Sequence, residues 1–169
     1  SDLSEILQEF ETSHKLTLAD EQRDAYMLLG HSNVIAVSGY PGTGKTLLTS
    51  AFVHLFEKAN LDYVLLSPTG IAAKRITQVT GRPAMTIHRA LGFKGDSWDF
   101  NEFNKYRVDA VILDESSMVD SKIFRILLSS LLPTTTLIII GDAAQLPSVG
   151  AGYVLNNLLR SQVPHVYLK

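Results

Sequence analysis

The chain has 169 residues, no cysteine, a formal net charge of -2, and 46% hydrophobic, 19% charged and 8% aromatic residues. That is the composition of one folded domain with a sizeable core, and it excludes a disulfide scaffold, a thiolate metal site and cysteine catalysis. The acidic N-terminus carries no signal-peptide pattern and no apolar run reaches membrane-spanning length. A soluble, cytoplasmic protein without membrane partners is therefore expected, and at this charge any polyanion must be met by a local patch.

Residues 1–16 open with Leu3, Ile6, Leu7 and Phe10 on one helical face, which predicts a short packing or linker helix ahead of the main fold at 17–169. Thr17 and Asp20 have the spacing of a capping box, with Asp in place of the preferred Glu, and predict a helix through Leu28 and Leu29 that Gly30 closes. Apolar runs follow at 34–38, 63–67, 110–114, 137–141 and 163–168, with helical patterns at about 45–58, 70–79, 120–131 and 151–160. Short, nearly continuous apolar strands alternating with helices predict an α/β fold of three layers, a central mainly parallel sheet with helices on both faces. Residues 81–108 break the alternation. They hold a short helical candidate at about 86–91, then an excursion at about 92–108 whose Phe93, Trp98, Phe100, Phe103 and Tyr106 read as a small apolar cluster of its own. Such insertions often contact partners.

Ligands on a parallel sheet gather at the carboxyl ends of its strands. Lys45, Thr69, Asp114, Glu115, Asp142 and Gln145 all fall there. Between the strand at 34–38 and the helix at 45–58, residues 39–46 read GYPGTGKT. In Gly39, Pro41, Gly42, Thr43 and Gly44 the glycines let backbone N–H groups curl inward around phosphates, and the helix N-terminus adds its own. Lys45 then reaches the β- and γ-phosphates and the Thr46 hydroxyl ligates Mg²⁺. The bland alternative is a glycine-rich turn without a ligand.

The strand at 110–114 ends in adjacent carboxylates, which repel one another unless a cation is near. Asp114 is placed to hold Mg²⁺ through its water shell and Glu115 to orient and deprotonate the attacking water; otherwise both acids are a solvated strand end, or Asp114 caps the next helix. Gln145, two residues before Pro147, offers an amide to a γ-phosphate oxygen or to the water, and is equally readable as a surface amide. Gln22 offers a donor and an acceptor for an adenine edge, or is an ordinary helix-surface glutamine. Of Arg75, Arg82, Arg89, Arg107, Arg125 and Arg160, none lies in a motif that places it on the γ-phosphate.

Taken together these segments resemble the first RecA-like motor domain of superfamily 1B DNA helicases, nearest the RecD-like branch and similar also to the Dda-type phage enzymes, over about residues 17–160. Residues 18–22 resemble the adenine-recognising Q motif, 39–46 motif I, 114–120 motif II with the Ser-Met pair of this branch, and 141–150 motif III. The resemblance implies ATP and Mg²⁺, with Lys45, Asp114, Glu115 and Gln145 catalytic and Gln22 at the adenine. It implies single-stranded DNA and single-strand/duplex junctions as partners. Pro68, Thr69, Gly70 and Lys74 (motif Ia) and Thr86 and His88 (the next motif) would lie against the strand backbone. Before the family is considered, Lys74 and Arg75 read equally as a solvated helix end and His88 as a cap or packing residue.

The excursion at 92–108 occupies the place where relatives insert the duplex-splitting 1B element, and here it is short. The chain stops at Lys169, ahead of the family's second motor domain, whose arginines close over ATP. We therefore expect a piece of a longer 5′ to 3′ helicase, nearly inactive alone. The runner-up is a nucleotide-gated switch that binds protein rather than nucleic acid; a small-molecule kinase is a weaker third, lacking a visible acceptor pocket and lid.

Overall fold

The computed structural model describes residues 2–142 and 163–169. Helix α1 (Leu3–His14) starts at Asp2, whose carboxylate accepts from the Glu5 N–H at 2.9 Å, and it buries Ile6, Leu7 and Phe10 as the periodicity predicts. Helix α2 (Asp20–Met27) departs from expectation at its start. Its cap is Ala19 rather than Thr17, and Gln22 closes the turn by accepting from the Ala19 N–H at 2.8 Å. Counted from Ala19, Gln22 is the third helical residue, and its long amide reaches back to the cap. At the other end the α-helix tightens into a 3₁₀ turn, Leu28–Gly30.

The remaining elements are β1 (Val34–Gly39), α3 (Lys45–Lys58), β2 (Tyr63–Ser67), α4 (Gly70–Thr80), β3 (Ala84–Thr86), α5 (Ile87–Ala90), β4 (Ala110–Leu113), α6 (Ser121–Ser130), β5 (Thr136–Asp142) and β6 (His165–Leu168). They form one sheet in the order β3-β2-β4-β5-β1-β6, and every pairing is parallel. Asp114 lies one residue beyond β4, β5 is longer by a residue at each end than the apolar run, and β6 begins two residues later than expected. Strand β3 is an addition: three half-buried residues at the sheet edge are too few to show a period. The helix expected at 151–160 lies outside the described residues.

Alternation along the strands sorts their side chains between two cores. Ile35, Val37, Leu65, Ile112, Ile138 and Ile140 face one layer, with α1, α2, α3 and Ile76 of α4; Ala36, Val64, Leu66, Val111, Leu113, Leu137 and Ile139 face the other, with α5 and α6. The handedness of parallel crossovers accounts for the division. Steps from β1 to β2 to β3 run one way across the sheet and carry α3 and α4, whereas β3 to β4 to β5 runs back and carries α5 and α6. Trp98, Phe100 and Tyr106 pack into this second core, so the excursion shares it instead of holding a separate cluster. Phe103, by contrast, is 90% exposed.

Candidate functional site

The order β4-β5-β1 brings three strand ends side by side. At the end of β1 the loop at 39–46 turns on Gly42 (φ 84°) and Gly44 (φ 92°), backbone angles that side chains oppose. Thr43 Oγ1 donates to the Tyr40 carbonyl at 2.7 Å and braces the turn. Gln22 braces it from outside, donating through Nε2 to the Gly44 carbonyl at 3.1 Å; it is 6% exposed, and its amide thus joins α2 to the loop. Lys45 opens α3, and its Nζ donates to the carbonyls of Gly39 (3.1 Å) and Tyr40 (2.9 Å).

Lys45 also pairs with Asp142 at 2.5 Å. Asp142 stands opposite Gly39 in the β1–β5 register, so a carboxylate at the end of β5 necessarily faces the loop that follows β1. Asp114 follows β4, its N–H donating to the Leu66 carbonyl of β2 at 2.9 Å. Burial pushes the Asp114 carboxyl up to about 6; the neighbouring Glu115 and Asp142 charges add to the rise, while a hydrogen bond from the Glu115 N–H (2.7 Å) and the Lys45 ammonium oppose it. Glu115 has a left-handed backbone (φ 55°), and its carboxylate meets Arg75 of α4 at 3.3 Å.

Pro41, Gly42, Gly44, Lys45, Thr46, Asp114 and Glu115 line one cleft of about 340 Å³, together with Asp142 and the side of α4 that carries Arg75, a size usual for small-molecule sites. Asp142 and Arg75 are what sequence reasoning gave no role here. Each meets its partner through strand order, which a single chain does not display. Gln145 lies outside the described residues.

The second set of residues expected to act together is also adjacent. Ser67 pairs with Thr86 in the β2–β3 register, so the turns at 68–70 and 86–88 leave the sheet next to each other. Thr69 caps α4, accepting from the Ala72 N–H at 3.2 Å, and Thr86 caps α5, accepting from the Arg89 N–H at 3.1 Å. A hydroxyl that accepts in this way keeps its own proton for an outside acceptor. His88 packs at 5.1 Å, between ring centroids, from both Phe93 and Trp98, and Lys74 is exposed on α4.

A parallel sheet whose first strand feeds a glycine loop into a helix, with acids ending the neighbouring strands, is a RecA-like P-loop nucleotide hydrolase fold. Residues 22–151 match the family described as an AAA domain. The ATP-dependent RecD2 DNA helicase of Deinococcus radiodurans is 37% identical over 138 residues, covering 82% of this chain and 19% of that protein. The ATP-dependent DNA helicase dda of Enterobacteria phage T4 is 35% identical over 128 residues, 70% of this chain and 29% of that protein. A crystal structure of a Pif1 helicase from Bacteroides shares the fold, with a TM-score of 0.63 at 23% identity over 92% of this chain and 42% of that one. The chain belongs to the superfamily 1 helicase motor domains of the RecD and Dda kind. It spans less than a third of either curated relative. Among the described residues no helix is long and apolar enough to cross a membrane.

Proposed function

We propose that this chain is the ATP-binding motor domain of a 5′ to 3′ DNA helicase, coupling ATP hydrolysis to movement along a single strand and the opening of duplex. The observation that carries the reading is the meeting of Lys45, Asp114, Glu115 and Asp142 in one cleft at three adjacent strand ends. An entering triphosphate would exchange the loop carbonyls and Asp142 for its own oxygens as partners of Lys45, and the loop N–H groups would hold its α- and β-phosphates. Glu115 would take the proton of a water attacking the γ-phosphorus as the bond to the β-phosphate oxygen breaks, leaving ADP and phosphate.

Mg²⁺ fits this donor set. Asp114 is a buried carboxyl raised to about 6, with like charges beside it, which is a group in want of a strong positive partner. Thr46 lines the same cleft. An ion there would draw the rest of its oxygen shell from substrate phosphates and water. Thr69, Gly70, Thr86 and His88, with Pro68 and Lys74 beside them, would bind the strand's phosphates, and Gln145 would relay between that track and the γ-phosphate. For Gln22, bracing the loop leaves one amide N–H to read the adenine edge. The polarity rests on the family resemblance.

The test is phosphate release by the full-length polypeptide that carries this chain, with and without a single-stranded oligonucleotide. Lys45→Ala is expected to lose hydrolysis by roughly 100-fold or more. Gln145→Ala should keep nucleotide affinity and lose most of the stimulation. A wild-type protein whose ATPase ignores the oligonucleotide ends the helicase reading and leaves the protein-binding switch.

A further inference from the structure

Among the described residues that line the cleft, the cations are Lys45 and Arg75. Lys45 belongs to the phosphate loop. Arg75 comes from α4, where Ala72, Arg75, Ile76, Val79 and Thr80 present one side of the helix to the cleft, the three- and four-residue spacing of a single face. Ile76 anchors that face in the core at 6% exposure, so the rotation of α4 is set by packing and Arg75 is delivered to the cleft mouth.

Its partner there is Glu115, at 3.3 Å between Nη1 and Oε1. The Glu115 backbone is held in a left-handed conformation, φ 55°, with its N–H on Asp114, a state that residues with a Cβ seldom adopt. With the backbone fixed in this way, the contact that directs the carboxylate is the guanidinium. The two side chains are 65% and 28% exposed. An ion pair so open to water adds little to stability, which leaves aim as its consequence.

We infer that Arg75 is a positioning residue for hydrolysis: its guanidinium holds the Glu115 carboxylate at the angle from which it meets the attacking water, and so makes turnover depend on the placement of α4. The inference rests on the proposed role of Glu115. It gives the motor a short mechanical link, because Thr69, Gly70 and Lys74 occupy the cap and first turns of the same helix. A strand seated on those turns acts on the base through one rigid element and one ion pair. The planar fork of arginine suits that task better than a lysine point charge.

The experiment compares wild type, Arg75→Gln, Arg75→Lys, Glu115→Gln and the Arg75→Gln/Glu115→Gln double variant of the full-length polypeptide, by single-turnover ATP hydrolysis and by equilibrium titration with a fluorescent ATP analogue. Arg75→Gln should lower the rate by roughly 10- to 100-fold, the effect of a misplaced reacting group, with the nucleotide Kd within about threefold of wild type. Arg75→Lys should recover part of the rate. In the Glu115→Gln background, Arg75→Gln should cost nothing more, since the two act as one unit.

A wild-type rate in Arg75→Gln, an equal loss in both backgrounds, or a rate loss matched by weakened nucleotide binding would each overturn the inference. If wild type hydrolyses ATP but no oligonucleotide stimulates it, the helicase reading falls and the Arg75–Glu115 coupling is still decided by basal turnover. If Glu115→Gln leaves the rate unchanged, the role of Glu115 and this inference fall together.

Discussion

Two separate demands meet at Gly44. Its φ of 92° strains any residue with a side chain, and a Cβ there would run into Nε2 of Gln22, the group that braces the loop. At Gly42 the angle is similar, 84°, but the space is open. Ala at either position should therefore cost about 1–2 kcal/mol of backbone strain, seen as lowered thermal stability. Only Gly44→Ala should also dislodge Gln22 and weaken nucleotide binding by an order of magnitude or more, measured by fluorescent-nucleotide titration; equal loss in both variants would deny Gln22 its bracing role. The loop itself was legible because its chemistry is local, a spacing within eight residues. The Lys45–Asp142 and Arg75–Glu115 pairs were not, because their partners are far apart in sequence and meet only once strand order is known.

Among the elements, Glu57 ties three together. At the end of α3, its carboxylate accepts from Arg82 Nε at 2.6 Å and Nη2 at 3.0 Å, in the turn between α4 and β3, and from the Tyr63 hydroxyl at the start of β2. The Arg82 hydrogen bonds, then that of Tyr63, hold the Glu57 carboxyl down to about 2, against an ordinary 4.5. A depressed carboxylate stabilises the fold fully above its unfolded value, and that contribution disappears as pH falls through the folded one. Because the pair is well exposed, Arg82→Ala should cost only about 0.5–1 kcal/mol at neutral pH. In denaturant titrations the gap to wild type should be full above about pH 4.5 and should close toward pH 2; a gap constant with pH would mean that packing, not charge, carries the effect. At this scale the longer apolar and amphipathic runs were readable, since a period needs length to declare itself. The short β3 and the start of α2, which turns on one glutamine reaching back one turn, were not.

For the molecule as a whole, the two expected surfaces share one edge of the sheet: a cleft at the ends of β1, β4 and β5, and a pair of capped turns at the ends of β2 and β3. In many phosphoryl-transfer enzymes an arginine supplied by another domain or subunit is worth roughly 10³–10⁵ in rate. With Lys45 and Arg75 as its described cleft cations, the 169-residue chain alone should bind Mg-nucleotide weakly and saturably in a calorimetric titration while phosphate release stays near background. Turnover comparable to that of the full-length polypeptide would show that the domain needs no outside arginine.

The place of β1 in the sheet has one more consequence. It is flanked by β5 and β6, and the Leu168 carbonyl closes against Gly39, 3.0 Å from where a Cβ would stand. The phosphate loop is synthesised early, but both strands that border it are synthesised late. Until they arrive, β1 is an apolar ribbon with unpaired amides on both sides, open to pairing with other chains. Pairings this distant along the polypeptide form slowly. Completing the cleft beside the glycine loop and covering β1 are thus expected to be the same late event in the birth of the domain.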